Sequence, residues 1–179
     1  MSLVDSSCRI QHVAVVFAVI LGLSFTAASQ TQSSRAGIDA LTGTWKLNLA
    51  KSTYEAGPPN YKRSTCRIES RPDALNAGLN VGLKVTYDMV GIRGGITHIE
   101  WVGQLDGKDY PMEGVDEVLT NAYTRIDERT YDVVVKADGL EVATARIVVA
   151  PDGKTLTSIT STRNARGQIL KTTAVYDRQ

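Results

Sequence analysis

From Val81 to Met89 the chain alternates apolar and polar residues without a break. Val81, Leu83, Val85, Tyr87 and Met89 fall on one side, and Gly82, Lys84, Thr86 and Asp88 on the other. A backbone with a two-residue repeat sends successive side chains to opposite faces, so this segment reads as a strand with one face buried and one wet. The same period recurs in Ile99, Trp101 and Leu105 against His98, Glu100, Val102 and Gln104, and in Tyr131, Val133 and Val135 against Asp132 and Lys136. Turn signals separate these runs at a regular pitch: Gly57-Pro58-Pro59-Asn60, Arg71-Pro72-Asp73, Gly94-Gly95, Asp106-Gly107, Asp138-Gly139, Asp152-Gly153 and Arg166-Gly167. Glycine takes positive φ without steric penalty, so Asp-Gly between alternating runs marks a tight antiparallel hairpin. No segment after the N-terminal apolar run carries apolar residues at helical spacing for three turns. The pattern predicts an all-β fold, a single antiparallel up-and-down (meander) β-barrel of about eight to ten strands, with a sandwich as the other arrangement. Closure into a barrel removes exposed sheet edges.

The N-terminal segment reads differently. Val13 to Phe25 is apolar and uncharged, is preceded by Arg9 and His12, and is followed by the small residues Thr26, Ala27, Ala28 and Ser29. That order is the order of a secretory signal, with cleavage expected after Ala28 or Ser29. A retained anchor is the other reading, but a spanning helix needs about 20 apolar residues and this run is shorter. The expected organisation is a signal peptide over 1–29, a flexible Ser/Thr/Gln-rich lead-in over 30–41, and a barrel domain over 42–179, in a protein that is periplasmic or secreted, with no integral membrane segment after cleavage.

Composition excludes some functions and leaves others open. Twenty basic and 19 acidic residues give a net charge of +1, which provides no electrostatic footprint for nucleic acid. Cys8 precedes the apolar run and would leave with the signal, so Cys66 stands alone and neither an intramolecular disulfide nor a cysteine-based metal site can form. Beyond the signal, His98 is the one histidine, on the polar side of its strand and near Glu100. No nucleophile elbow, zinc-protease helix or phosphate-binding loop is present. The chain therefore reads as a non-enzyme with no cofactor, no metal site and no catalytic residues.

The two ends of the barrel segment carry a resemblance. Gly43-Thr44-Trp45-Lys46-Leu47-Asn48, followed by Lys51-Ser52, and the closing Val175-Tyr176-Asp177-Arg178 resemble the calycins, the superfamily of lipocalins and fatty-acid-binding proteins. The wider pattern, including the Asp106-to-Pro111 segment and Val148-to-Thr157, resembles a lipocalin-like family of uncharacterised bacterial exported proteins. This resemblance implies that Gly43 and Trp45 plug one end of the barrel and that Arg178 packs across the tryptophan. Fatty-acid-binding proteins insert two helices after the first strand and end in Arg-x-Tyr, which holds a carboxylate. Here the link from Lys51 to Asn60 is too short for those helices, and the aligned arginine is Ala174.

If the barrel closes, its interior is of the size that either fills with side chains or holds one small ligand. Candidate cavity-lining residues are Tyr87, Trp101, Tyr131, Arg146 and Tyr176, with Leu83, Val85, Ile99 and Val133 on the same faces. Arg146 shares parity with Val142, Thr144 and Val148, while Ala143, Ala145, Ile147 and Val149 form an equally apolar face, so either orientation satisfies the pattern. Small residues at Gly103, Ala122, Thr144, Thr160 and Thr172 are expected to leave room. Two functional expectations follow: an exported lipocalin-like binder of a small hydrophobic or amphipathic molecule, or a packed barrel serving as a structural or interaction module of the bacterial envelope. The sequence does not specify an oligomeric state.

Overall fold

The computed structural model describes residues 40–55, 57–59, 61–72 and 81–179. Signal and lead-in expectations for residues 1–39 lie outside the described residues. The described chain is a succession of antiparallel strands: β1 (Gly43–Leu47), β2 (Thr53–Tyr54), β3 (Tyr61–Pro72), β4 (Val81–Gly91), β5 (Ile96–Gln104), β6 (Tyr110–Glu113), β7 (Leu119–Arg125), β8 (Thr130–Ala137), β9 (Leu140–Val149), β10 (Thr155–Arg163) and β11 (Ile169–Arg178). β1 and β3 to β11 pair in sequence order, and β11 returns to pair with β1, so ten strands form a closed up-and-down barrel. β2 adds an eleventh strand against β11. Among the described residues no helix is long and apolar enough to cross a membrane.

Hairpin geometry follows the glycines. Asp138 and Gly139 both have positive φ, 49° and 79°, the combination a two-residue turn needs to match strand twist. The repeated Asp-Gly-Lys is turn chemistry of another kind. The carboxylates of Asp106 and Asp152 accept hydrogen bonds from the backbone N–H of Lys108 (3.1 Å) and Lys154 (2.9 Å), so each aspartate closes its own turn. Arg71-Pro72 is not a turn: both residues end β3, paired with Gly82 and Val81. Proline is tolerated there because it terminates the ladder.

The first strand is stepped by a corner made of the residues that follow it. A 3₁₀ turn at Leu49–Lys51 separates β1 from β2. Asn48 caps that turn through Lys51 N–H and donates Nδ2 to Asp177 at 2.7 Å, while Lys51 Nζ reaches the other Asp177 oxygen at 2.8 Å. Ser52 Oγ donates to Asn48 O and accepts from Val175 N–H. Asn48, Lys51 and Ser52 thus tie the corner to β11, which pairs with β1 on one side of it and β2 on the other.

One end of the barrel, the base, is plugged. Trp45 is fully buried opposite Cys66 on β3 and Arg178 on β11. Its indole N–H donates to Leu41 O at 2.9 Å, and Leu41 is itself fully buried. The Arg178 guanidinium lies 4.4 Å from the indole centroid and donates Nη2 to Ala40 O at 2.7 Å. Ala40 and Leu41, expected to belong to a flexible lead-in, are therefore part of the base. Gly43 has φ +139°, and a Cβ there would meet Arg178 Nη1 at 3.4 Å; glycine leaves the guanidinium its seat. Gly43, Trp45 and Arg178 thus meet at the base as the resemblance implied. Arg178→Met keeps the stem and removes the cation, and is expected to cost about 0.5–2 kcal/mol, whereas Trp45→Ala is expected to cost about 3–5 kcal/mol. Urea unfolding followed by fluorescence checks both; an unchanged midpoint for Arg178→Met contradicts the stacking contribution.

Candidate ligand cavity

Strand parity is set by the closure register, and from it the interior divides into a filled half and an open half. Near the base, Ile68, Leu83, Val85, Trp101, Tyr123, Tyr131, Val133, Ile147, Val149 and Leu156 form a continuous buried cluster with Trp45 and Leu41. Trp101 packs on Tyr123 with centroids 4.3 Å apart and meets Tyr110 edge-on at 6.0 Å. Its N–H donates to Asn121 O at 3.2 Å. Gly103 is small for this packing: a Cβ there would overlap the Trp101 and Tyr110 rings. Its vacancy is already filled by aromatic carbon, so Gly103 leaves no room for a ligand.

Toward the other end the side chains shorten and a cavity of about 420 Å³ opens. Climbing β11 from Arg178, the inward residues are Tyr176, Ala174 and Thr172; on β3, Ser64 follows Cys66; on β4, Met89 follows Tyr87. Ile99, Met112 and Leu47 complete the inner wall, and Tyr54, Tyr61 and the Gly57-Pro58-Pro59 link border the mouth. Tyr87 and Tyr176 are enclosed by the barrel yet keep accessible surface, because that surface faces the cavity. The hairpin tips at this end expose Ile92, Ile96, Val118, Leu140 and Ile169, all more than half accessible.

The expected cavity residues separate accordingly. Tyr87 and Tyr176 line the cavity, together with Ile99. Trp101 and Tyr131 point inward but belong to the filled half, where Tyr131 is fully buried. Arg146 does not line the interior. Ile147 and Val149 supply the inward face of β9, which leaves Arg146 outside, where it grips cross-strand Asp132 through Nε at 2.7 Å and Nη2 at 2.8 Å. A guanidinium with a carboxylate neighbour in water stays there, since burial without a partner is costly. Thr160 and Thr172 have inward parity, and Thr172 borders the cavity; Ala122 and Thr144 lie on the outward parity of their strands. His98 is also outside, half-exposed, with Nδ1 2.7 Å from Asp88 across the β4–β5 pair.

Ser64, Tyr54, Tyr61, Met89 and Met112 were not among the expected lining residues. Met89 was legible by parity from the β4 alternation. Ser64 stands in Tyr61-Lys-Arg-Ser-Thr-Cys66, a stretch with too few apolar residues to show its inner face.

Between floor and cavity lies a cluster of weak acids held neutral. Burial pushes the Cys66 thiol up from 9.0 to about 12. Tyr87, beside it, is raised by that thiol first and by burial second. Tyr123 and Tyr176 are raised chiefly by burial, and so is Tyr131, from 10.0 to about 12. Among the described residues no three His, Cys, Asp or Glu side chains gather as a metal site. No family model and no curated protein matches the chain.

Each of these acids ionises more readily in the unfolded chain than in the fold. Their contribution to stability is therefore complete below pH 9.0 and is lost as the pH climbs toward about 12. Urea unfolding across this range is expected to show a level plateau near neutrality and a decline above it, with a shallower onset for Cys66→Ala. Rising stability above the plateau contradicts this assignment. In the folded protein Cys66 is expected to be inert to a thiol reagent at about pH 8 and to react once denaturant is added.

Proposed function

We propose that the protein is an exported, lipocalin-like binder whose barrel holds one small, largely apolar molecule. The observation that carries this reading is the asymmetry of the interior: Trp45, Leu41 and Arg178 seal one end, and a cavity of about 420 Å³ remains open at the other. That volume falls in the range of about 300–1,000 Å³ typical of small-molecule pockets, and its wall combines apolar area with a few polar groups, as such pockets do. Binding rather than catalysis is supported by where the charged groups sit. His98–Asp88, Lys84–Glu100 and Arg146–Asp132 are cross-strand pairs on the wet face, away from the cavity. Export is supported by the order of charged, apolar and small residues before Gln30, and places the protein in the periplasm or outside the cell.

A second reading, an interaction module of the envelope, draws on the five exposed apolar residues at the hairpin tips around the mouth, because clustered exposed apolar residues mark contact surfaces. Binding of Nile red, an uncharged dye, discriminates the two readings. The carrier reading expects saturable, blue-shifted emission at one site per chain. Ala174→Trp, which fills the cavity wall opposite Ser158, is expected to weaken it by about tenfold or more, a loss of ~1.4 kcal/mol at least. No binding, or binding indifferent to the filled cavity, removes the carrier reading and leaves the interaction module.

A further inference from the structure

The lining of this cavity restricts what it can accept. Among the described residues its polar groups are Ser64, Thr172 and the phenols of Tyr54, Tyr61, Tyr87 and Tyr176, and no charged side chain among them borders it. Arg146, whose face the sequence left open, is committed to Asp132 on the outer side, and Arg178 to Trp45 and Ala40 at the base. Arg125 lies at the base end of β7 and donates Nε to Asp127 O at 3.0 Å. A carboxylate entering here would give up water without meeting a cation, a transfer that strongly disfavours the charged form.

Ser64 supplies the positive half of the inference. It is 2% exposed and borders the cavity, and its Oγ has no hydrogen-bond partner among the described residues. Tyr176 lies near enough for the hydroxyl to favour the phenol's anion, but the two do not reach hydrogen-bond geometry. A buried hydroxyl without a partner is destabilising and uncommon in a finished fold. Among the described residues Asn121 Oδ1 is the other buried side-chain oxygen without one; Asn121 sits against Trp101, whose N–H its backbone carbonyl accepts, and does not border the cavity. Tyr176 stands beside Ser64, and Tyr87, opposite Cys66 on β4 and hydrogen-bonded to its thiol, borders the cavity on the neighbouring strand; a phenol can donate an O–H.

Resting on the binding reading above, we propose that the cavity selects an uncharged, mainly apolar molecule bearing a carbonyl or hydroxyl oxygen. That oxygen accepts a hydrogen bond from Ser64, flanked by the phenols of Tyr87 and Tyr176, and fatty carboxylates are rejected. Ligands enter oxygen-first, because the donors lie deep and the Gly57-Pro58-Pro59 link borders the mouth. The upward shift of Tyr87 and Tyr176 is consistent with this, since the surroundings that keep phenols neutral also oppose an incoming anion.

Displacement of Nile red from the full-length protein by two matched competitors, 2-undecanone and undecanoate, tests the proposal at about neutral pH, where the second is ionised. The ketone is expected to displace the dye at a concentration at least about tenfold lower than the carboxylate. Ser64→Ala is expected to weaken the ketone roughly threefold to tenfold, the worth of one hydrogen bond. The same variant is expected to raise the thermal midpoint of the ligand-free protein, because it removes a hydroxyl that lacks a partner. Tyr176→Phe, which keeps the ring, provides an independent reduction in ketone affinity. Equal displacement by undecanoate overturns the selectivity while leaving the binding reading standing. A Ser64→Ala variant that binds the ketone as tightly as wild type overturns the role of that hydroxyl. Failure of Nile red itself to bind overturns the selectivity and the binding reading together.

Discussion

Everything inside the barrel depends on how its sheet closes. Three pairs join the last strand to the first: Trp45 with Arg178, Lys46 with Asp177, and Leu47 with Tyr176. Since a one-residue slip turns every side chain of a strand to the opposite face, this short ladder decides which residues of β11 point in. It sets Tyr176, Ala174 and Thr172 toward the interior and leaves Asp177 outside, where Asn48 and Lys51 bind it. The register is held from both sides. Within, Arg178 covers the indole of Trp45; without, the corner after β1 grips β11 through Asn48 and Ser52. The Gly-x-Trp opening and the Lys-Ser pair that follows it are therefore two parts of one closure device.

Period-two strands made the architecture readable. The β4 alternation from Leu83 to Met89 and the glycine turns between later strands map directly onto pairings in the barrel. The base was readable through Gly43, Trp45 and Arg178, although their meeting depends on strands separated by most of the chain and was implied by resemblance rather than by pattern. The division of the interior was less accessible. Trp101 and Tyr87 share inward parity on adjacent strands, yet one is packed between Tyr110 and Tyr123 and the other faces empty space. Parity reports direction but not depth along the barrel, and depth decides which aromatic residue lines a cavity.

Arg146 and Gly103 show two further limits of the sequence. On β9 both faces are apolar, so the orientation of Arg146 is fixed only when Asp132 arrives opposite it from β8. At Gly103 the missing side chain looked like space, but neighbouring rings occupy it. Small residues create volume only where nothing larger leans over them. Thr172 meets that condition and Gly103 does not. Interior chemistry has the same origin: with Arg146 engaged outside and Arg125 and Arg178 at the base, the polar groups that border the cavity among the described residues are phenols and hydroxyls, all neutral.

The base has one more property. Ala40, where the described chain begins, is held by Arg178, and the N–H of Gln179, where it ends, donates to Thr44 O at 2.9 Å. Both ends therefore emerge on the sealed side, opposite the cavity. A tether acting through either end would pull on the Trp45 plug and leave the mouth pointing away from the attachment. The barrel is thus polar in space as well as in structure, with both ends of the described chain on the plugged side and the cavity on the other.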